Sequence, residues 1–226
     1  MSTATATAPT AAEPRRAPRP RADALRNRER IIAAAREMFV EEGAMVPLDE
    51  IARRAGIGNA TLYRHFPDRA ELITSVVLAV MERVAVAAET AAAEESDAFA
   101  ALRRFVYAAA DERIGALCPM LSEGFERNLP ELEASRDRLD GAVTDLMARA
   151  RRSGQLRDDV AVGDLMVALS QLTRPLPGTA CPNIDQFVRR HLQLFLDGLQ
   201  APARSELPGT AATLQDLSQM QPSAVG

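Results

Sequence analysis

Between Leu48 and Phe66 the chain reads LDEIARRAGIGNATLYRHF, and the end of this run gathers side chains suited to nucleic acid. Asparagine can bond the adenine edge, so Asn59 is a candidate base reader. Arg64 can fork onto guanine, and the Thr61 methyl can meet thymine. Tyr63 and His65 suit phosphate oxygens, which fix register without reading sequence. Ala60 shares their surface. Arg69 opens the following segment, where free helix amides also attract phosphate. Plainer roles exist for the same residues. Asn59 can cap a helix, Tyr63 can pack inside the domain, and His65 can serve as a pH switch.

Such side chains read DNA only when a short helix presents them from a rigid support. The flanking sequence supplies one. From Asp23 to Glu42 the pattern is helical, with Leu25, Ile32 and Phe39 repeating every seven residues and Ala35 and Met38 on the same side. Asp23 is a cap for its start and Gly43 ends it. Leu48 to Ala55 forms a second helix opened by Pro47, Gly56 turns the chain, and Asn59 to Phe66 forms the third. Ile51, Ala52, Ala55, Ile57, Leu62 and Phe66 face inward. Asp68 and Glu71 have capping-box spacing at the head of a long fourth helix, striped with Leu72, Val76, Val80 and Val84.

Composition supports an all-helical protein. The chain has 226 residues, 47% hydrophobic and 4% aromatic, with abundant alanine. Its net charge is −4, and its basic residues are all arginine. Arginines outnumber acids within residues 1–70 and acids dominate the remainder, so one end is suited to DNA. Residues 1–22 form an arginine-containing arm with little to bury, expected to be disordered: either a solvated leader or an arm along DNA. The apolar run Val76 to Met81 is too short to span a bilayer, and no secretory segment is evident, so a cytoplasmic location is expected. Cys118 and Cys181, each before a proline, read as reduced structural thiols, with a redox pair as the alternative. No metal cluster, phosphate loop or catalytic triad spacing appears, so neither a cofactor nor an enzyme is expected.

Beyond the fourth helix, helices are expected over 97–117, 132–152, 159–174 and 184–199, with a short element near 121–128 and a loose tail at 201–226. The last two long helices carry apolar residues beyond one narrow stripe and need a partner to cover them, or else close the core of a single chain. Met81, Phe105, Met120, Phe125, Met147 and Met166, with Phe99 and Tyr107, suit an adaptable apolar cavity, though each serves equally as plain core. Asp111, Glu112 and Glu123 lie nearby and would favour a cationic ligand.

The succession of first helix, IARRAG segment, GIGNATLYRHF and acidic capped helix, over about residues 24–72, resembles the TetR family of bacterial transcriptional regulators. The resemblance implies an all-α fold. A three-helix helix-turn-helix DNA-binding domain (23–70) would precede a larger helical domain (71–200) that binds a small molecule and dimerises. It implies operator contact by Asn59, Ala60, Thr61, Tyr63, Arg64 and His65, with Arg69 on the DNA backbone. Where many members carry hydroxyl residues before the second helix, this chain has Val46 and Pro47, which moves that phosphate contact to Arg28 or Arg53. The final two helices would form a four-helix dimer interface, with Leu165, Leu169, Phe187, Leu194 and Phe195 in it. Two functions fit: a homodimeric repressor released from a palindromic double-stranded operator by a small-molecule effector, or a ligand-independent DNA-binding factor of the nucleoid or division type.

Overall fold

Alanine and leucine fill this chain, and glycine, proline and capping aspartate punctuate it, so it folds as a succession of helices. The computed structural model describes residues 20–117, 129–174, 184–213 and 216. Among these lie α1 (Pro20–Glu42), α2 (Leu48–Ala55), α3 (Asn59–His65), α4 (Arg69–Glu94), α5 (Ala98–Asp111), α6 (Ile114–Leu117), α7 (Pro130–Arg152), α8 (Val162–Leu172) and α9 (Ile184–Leu199). The described residues contain no strand; an isolated bridge joins Leu156 to Gln200. No described helix is long and apolar enough to cross a membrane.

Helices α1 to α3 make a small head, and α4, 26 residues long, leaves it and runs through the body between α5 and α7. Its stripe Leu72, Val76, Val80 and Val84 is buried as its spacing requires. Asp68 caps it by accepting from the Glu71 amide at 2.8 Å, and Asp97 caps α5 by accepting from the Ala100 amide at 2.7 Å. One apolar core runs from Phe39, Ile51, Leu62 and Phe66 in the head to Phe105, Leu146 and Leu192 in the body. Head and body therefore share their packing.

Several expectations are revised. Helix α1 begins at Pro20, so Asp23 lies within its first turn and pairs with Arg26 instead of capping. The buried side of α1 is Ile31, Ala35, Met38 and Phe39, which leaves Leu25 63% exposed. The helix expected over 97–117 breaks at Glu112–Arg113, where Arg113 adopts φ 55°. Helix α8 starts at Val162 and not at Asp159, whose carboxylate pairs with Arg157 Nε and Nη2 short of the helix.

The tail is not loose over 201–213. The Ala201 amide donates to the Gln155 carbonyl (2.9 Å), and buried Arg157 donates to the Ser205 carbonyl (2.7 Å). Asp164 at the head of α8 accepts from both the Ala161 amide (2.8 Å) and the Ala212 amide (3.2 Å). The segment thus straps the α7–α8 turn. The arm 1–19, Cys118, Met120, Glu123, Phe125, Cys181 and the short element near 121–128 lie outside the described residues.

Candidate nucleic-acid interface

The sequence IARRAGIG dictates a sharp corner. Helix α2 ends at Ala55, and Gly56 follows at φ 65° and ψ 40°, a left-handed conformation that side chains other than glycine adopt at a cost. Its amide closes onto the Ala52 and Arg53 carbonyls, and Arg30 from α1 donates to the carbonyls of Ala55 (2.5 Å) and Gly56 (3.1 Å). Arginine here caps the carbonyl end of α2, where cations are favoured. Helix α3 then starts directly, with Gly58 at its N-cap and no side-chain cap bond. Asn59 is therefore spared from capping and stands exposed.

Helix α3 divides into two faces. Leu62 and, just past its end, Phe66 are fully buried against the head. Asn59, Ala60 and Arg64 are exposed, Tyr63 is 48% exposed, and Thr61 and His65 are half-buried. Five polar side chains thus lie along or beside one outward face, and among the described residues Arg64 has no hydrogen-bond or ion-pair partner. His65 differs from the rest, because its Nε2 is enclosed without a partner among the described residues.

Two arginines expected on phosphates are turned inward. Arg69 Nη1 donates to the carbonyls of Ala44 and Val46, both at 2.7 Å, and so ties the start of α4 to the α1–α2 loop. Arg28 Nη2 donates to Ser75 Oγ of α4 at 2.9 Å, and its guanidinium lies 4.4 Å from the centre of the Phe66 ring. It also reaches the His65 carbonyl at 3.5 Å. Both therefore position α3 instead of offering a free charge. Arg53 is the other candidate, and its side chain is 79% exposed, beside Glu50 at 3.4 Å. Nothing in the sequence pattern separated arginines that tie carbonyls from arginines that face solvent. Only the fold brings residues 28 and 75, or 69 and 46, together.

In the body, Phe105 and Met147 are buried, and Met81 and Met166 are half-buried against the core. Of the three acids expected to attract a cation, the two within the described residues are already partnered. Asp111 pairs with Arg189 at 2.9 Å, and Glu112 pairs with Arg36 and Arg83. Leu165 and Leu169 are 1% and 0% exposed, so they belong to the core of the chain and not to a contact face. On α9, Phe187 and Leu194 are 49% and 59% exposed, with Val167 of α8 at 41% and Phe195 half-buried.

The resemblance to known proteins follows this division. Residues 31–76 match the family described as bacterial regulatory proteins, tetR family, and residues 96–201 match the C-terminal domain described as transcriptional regulator SbtR-like. An HTH-type transcriptional regulator of Staphylococcus aureus is 45% identical over 58 residues, 25% of this chain and 31% of that protein. The match spans about a third of that relative's length. The crystal structure of TetR transcriptional regulator SCO0520 from Streptomyces coelicolor is 31% identical, with TM-score 0.59 over 78% of this chain and 99% of that one. A TetR regulatory protein from Mycobacterium vanbaalenii is likewise 31% identical, with TM-score 0.56 over 80% of this chain and 99% of its own. The TetR-like regulator LfrR from Mycobacterium smegmatis, solved with proflavine, shares the fold at 24% identity and TM-score 0.57, covering 75% of this chain and 95% of that one. The chain belongs to the TetR family of bacterial transcriptional regulators and carries that family's DNA-binding helix-turn-helix at its N-terminal end.

Proposed function

We propose that the protein is a homodimeric repressor that holds a palindromic operator and releases it when a small molecule enters the body. The observation that carries the DNA half is the outward polar face of α3, set on a helix whose opposite side is fully buried. Asn59, Thr61 and Arg64 would read base edges, with Tyr63 and Arg53 toward phosphates, His65 joining them only through Nδ1 because its Nε2 is enclosed, and Ala60 leaving room for close approach. Arg28 and Arg69 take no part in direct contact.

The exposed apolar residues of α8 and α9 support the dimer. Phe187, Leu194 and Val167 leave apolar surface that a second copy would cover. Two heads related by a twofold axis would meet successive major grooves about 34–36 Å apart. The effector half draws support from the Mycobacterium smegmatis relative solved with proflavine. Of the methionine and aromatic set of the body, Met81, Phe105, Met147 and Met166 would line the effector site. An effector acts only by binding one head spacing more tightly than the other.

The test has two stages. The full chain is used to select from random duplex DNA, and the winning site is then challenged with a compound library while its release is followed by fluorescence anisotropy. An inverted repeat released by a defined compound class is expected. Selection of an inverted repeat that no compound releases would favour the ligand-independent alternative.

A further inference from the structure

The break between α5 and α6 joins parts of the molecule that are far apart in sequence. Glu112 sits at this corner, with its side chain 20% exposed. Its Oε2 accepts from Arg36 Nη1 at 3.0 Å and from Arg83 Nε at 2.9 Å. Arg36 belongs to α1 of the head, 28% exposed, and Arg83 to the body portion of α4. A single carboxylate oxygen therefore ties head to body, in a setting more enclosed than an ordinary surface ion pair.

The other side of the corner is fixed by backbone contact. The Gly115 amide donates to Thr173 Oγ1 at 2.9 Å, and Thr173, 5% exposed, follows α8 directly. A Cβ at Gly115 would run into the Ser170 carbonyl oxygen, so α6 and α8 lie as close as backbones allow. The preceding residue, Asp111, reaches Arg189 on α9. The corner is thus anchored to the two helices with exposed apolar faces, and Glu112 extends from it to the head.

We propose that Glu112 is a positioning residue for operator binding: through Arg36 it sets the angle of the DNA-binding head against the body that α8 and α9 orient. The spacing arm of its test rests on the dimeric reading above; the distance arm does not. A head site (Asp49→Cys) and a body site (Thr144→Cys) are spin-labelled in the full chain, with Cys118 and Cys181 replaced by alanine. Labelled chains are diluted with unlabelled chain so that only distances within one chain are read. The parent should give a narrow distance distribution. Glu112→Gln and Arg36→Gln should broaden it, Arg83→Gln should do so less, and Arg36→Lys should restore most of the narrowness.

In parallel, operators with half-sites moved one base pair apart, about 3.4 Å, are bound by the same variants. The penalty for wrong spacing should fall by roughly three- to fivefold in Glu112→Gln and Arg36→Gln, with helicity and melting temperature near the parent. Unchanged distances in both glutamine variants would overturn the proposal, and Arg36→Gln alone decides the matter should Glu112→Gln fail to fold. A parent that ignores half-site spacing while the distances broaden would reject the dimeric reading and leave the positioning role standing.

Discussion

Arg64 and Arg69 lie five positions apart and do different work. Arg64 is free on the outward face of α3, whereas Arg69 spends its guanidinium on two loop carbonyls. Arg64→Ala should cost about 1–3 kcal/mol on the preferred operator and relax the choice of base beneath it. Arg69→Ala should weaken binding to all sequences alike and lower the melting temperature, with the salt dependence of binding unchanged, because no phosphate contact is lost. Arg53→Ala should reduce the slope of log affinity against log salt by about one unit without touching stability. Titrations at several salt concentrations separate the three outcomes.

The polar set Asn59, Thr61, Tyr63 and Arg64 was legible in the sequence because residue type and local spacing decide which side of a short helix faces out. The inward turn of Arg28 and Arg69 was not, since their partners Ser75, Ala44 and Val46 are brought to them only by folding.

At the scale of elements, capping aspartates start α4 and α5, and Gly56 turns the corner. Gly56→Ala should destabilise the head by about 1 kcal/mol or more, since the backbone is left-handed and a new Cβ would come within 2.7 Å of Arg30 Nη2. A thermal melt measures this. Asp97 is held below the ordinary carboxylate range, first by the hydrogen bond from Gln155 and then by the Ala100 amide. Asp159 is lowered by its hydrogen bonds from Arg157. A carboxylate with a depressed folded value contributes stability that is present above its unfolded pKa, about 3.9, and is lost as pH falls through the folded value. Melting temperature should therefore hold steady down to about pH 5 and drop below about pH 4. Asp97→Ala should lower it at neutral pH and flatten the acid limb.

Helix identity was readable from periodicity over most of the chain, as with α4 and α9. The ends were read less well. The α5–α6 break at Arg113 goes with Arg36 and Arg83 reaching Glu112 across the fold, and the start of α8 goes with Asp164 reaching the Ala212 amide; no local pattern announces either contact.

For the whole molecule, the apolar residues of α8 and α9 divide by tertiary packing. Leu165 and Leu169 close the core of the chain, while Phe187 and Leu194 stay outside it. Apolar spacing along a helix cannot tell the two destinations apart, because both need the same residue types. If Phe187 and Leu194 form the proposed dimer face, Leu194→Arg should leave helicity intact, give a monomer in sedimentation where the parent gives a dimer, and sharply reduce operator affinity, since one head alone makes half the contacts. The same reasoning applies to charge. The acidic body and the mildly basic head were visible in the sequence, but several head arginines are paired internally, among them Arg54 with Glu37 and Glu41. The field available to DNA is therefore smaller than the arginine count implies.

Sequence reading by the outward face of α3 is the proposed property from which the regulatory role follows. The most direct measurement is equilibrium binding of the parent and Arg64→Ala, at one fixed salt concentration, to the selected duplex and to duplexes with each half-site base changed in turn. Selective loss of discrimination at one or two adjacent base pairs, with the rest of the profile preserved, is the predicted result. Equal affinity and an identical base profile for both proteins would contradict it.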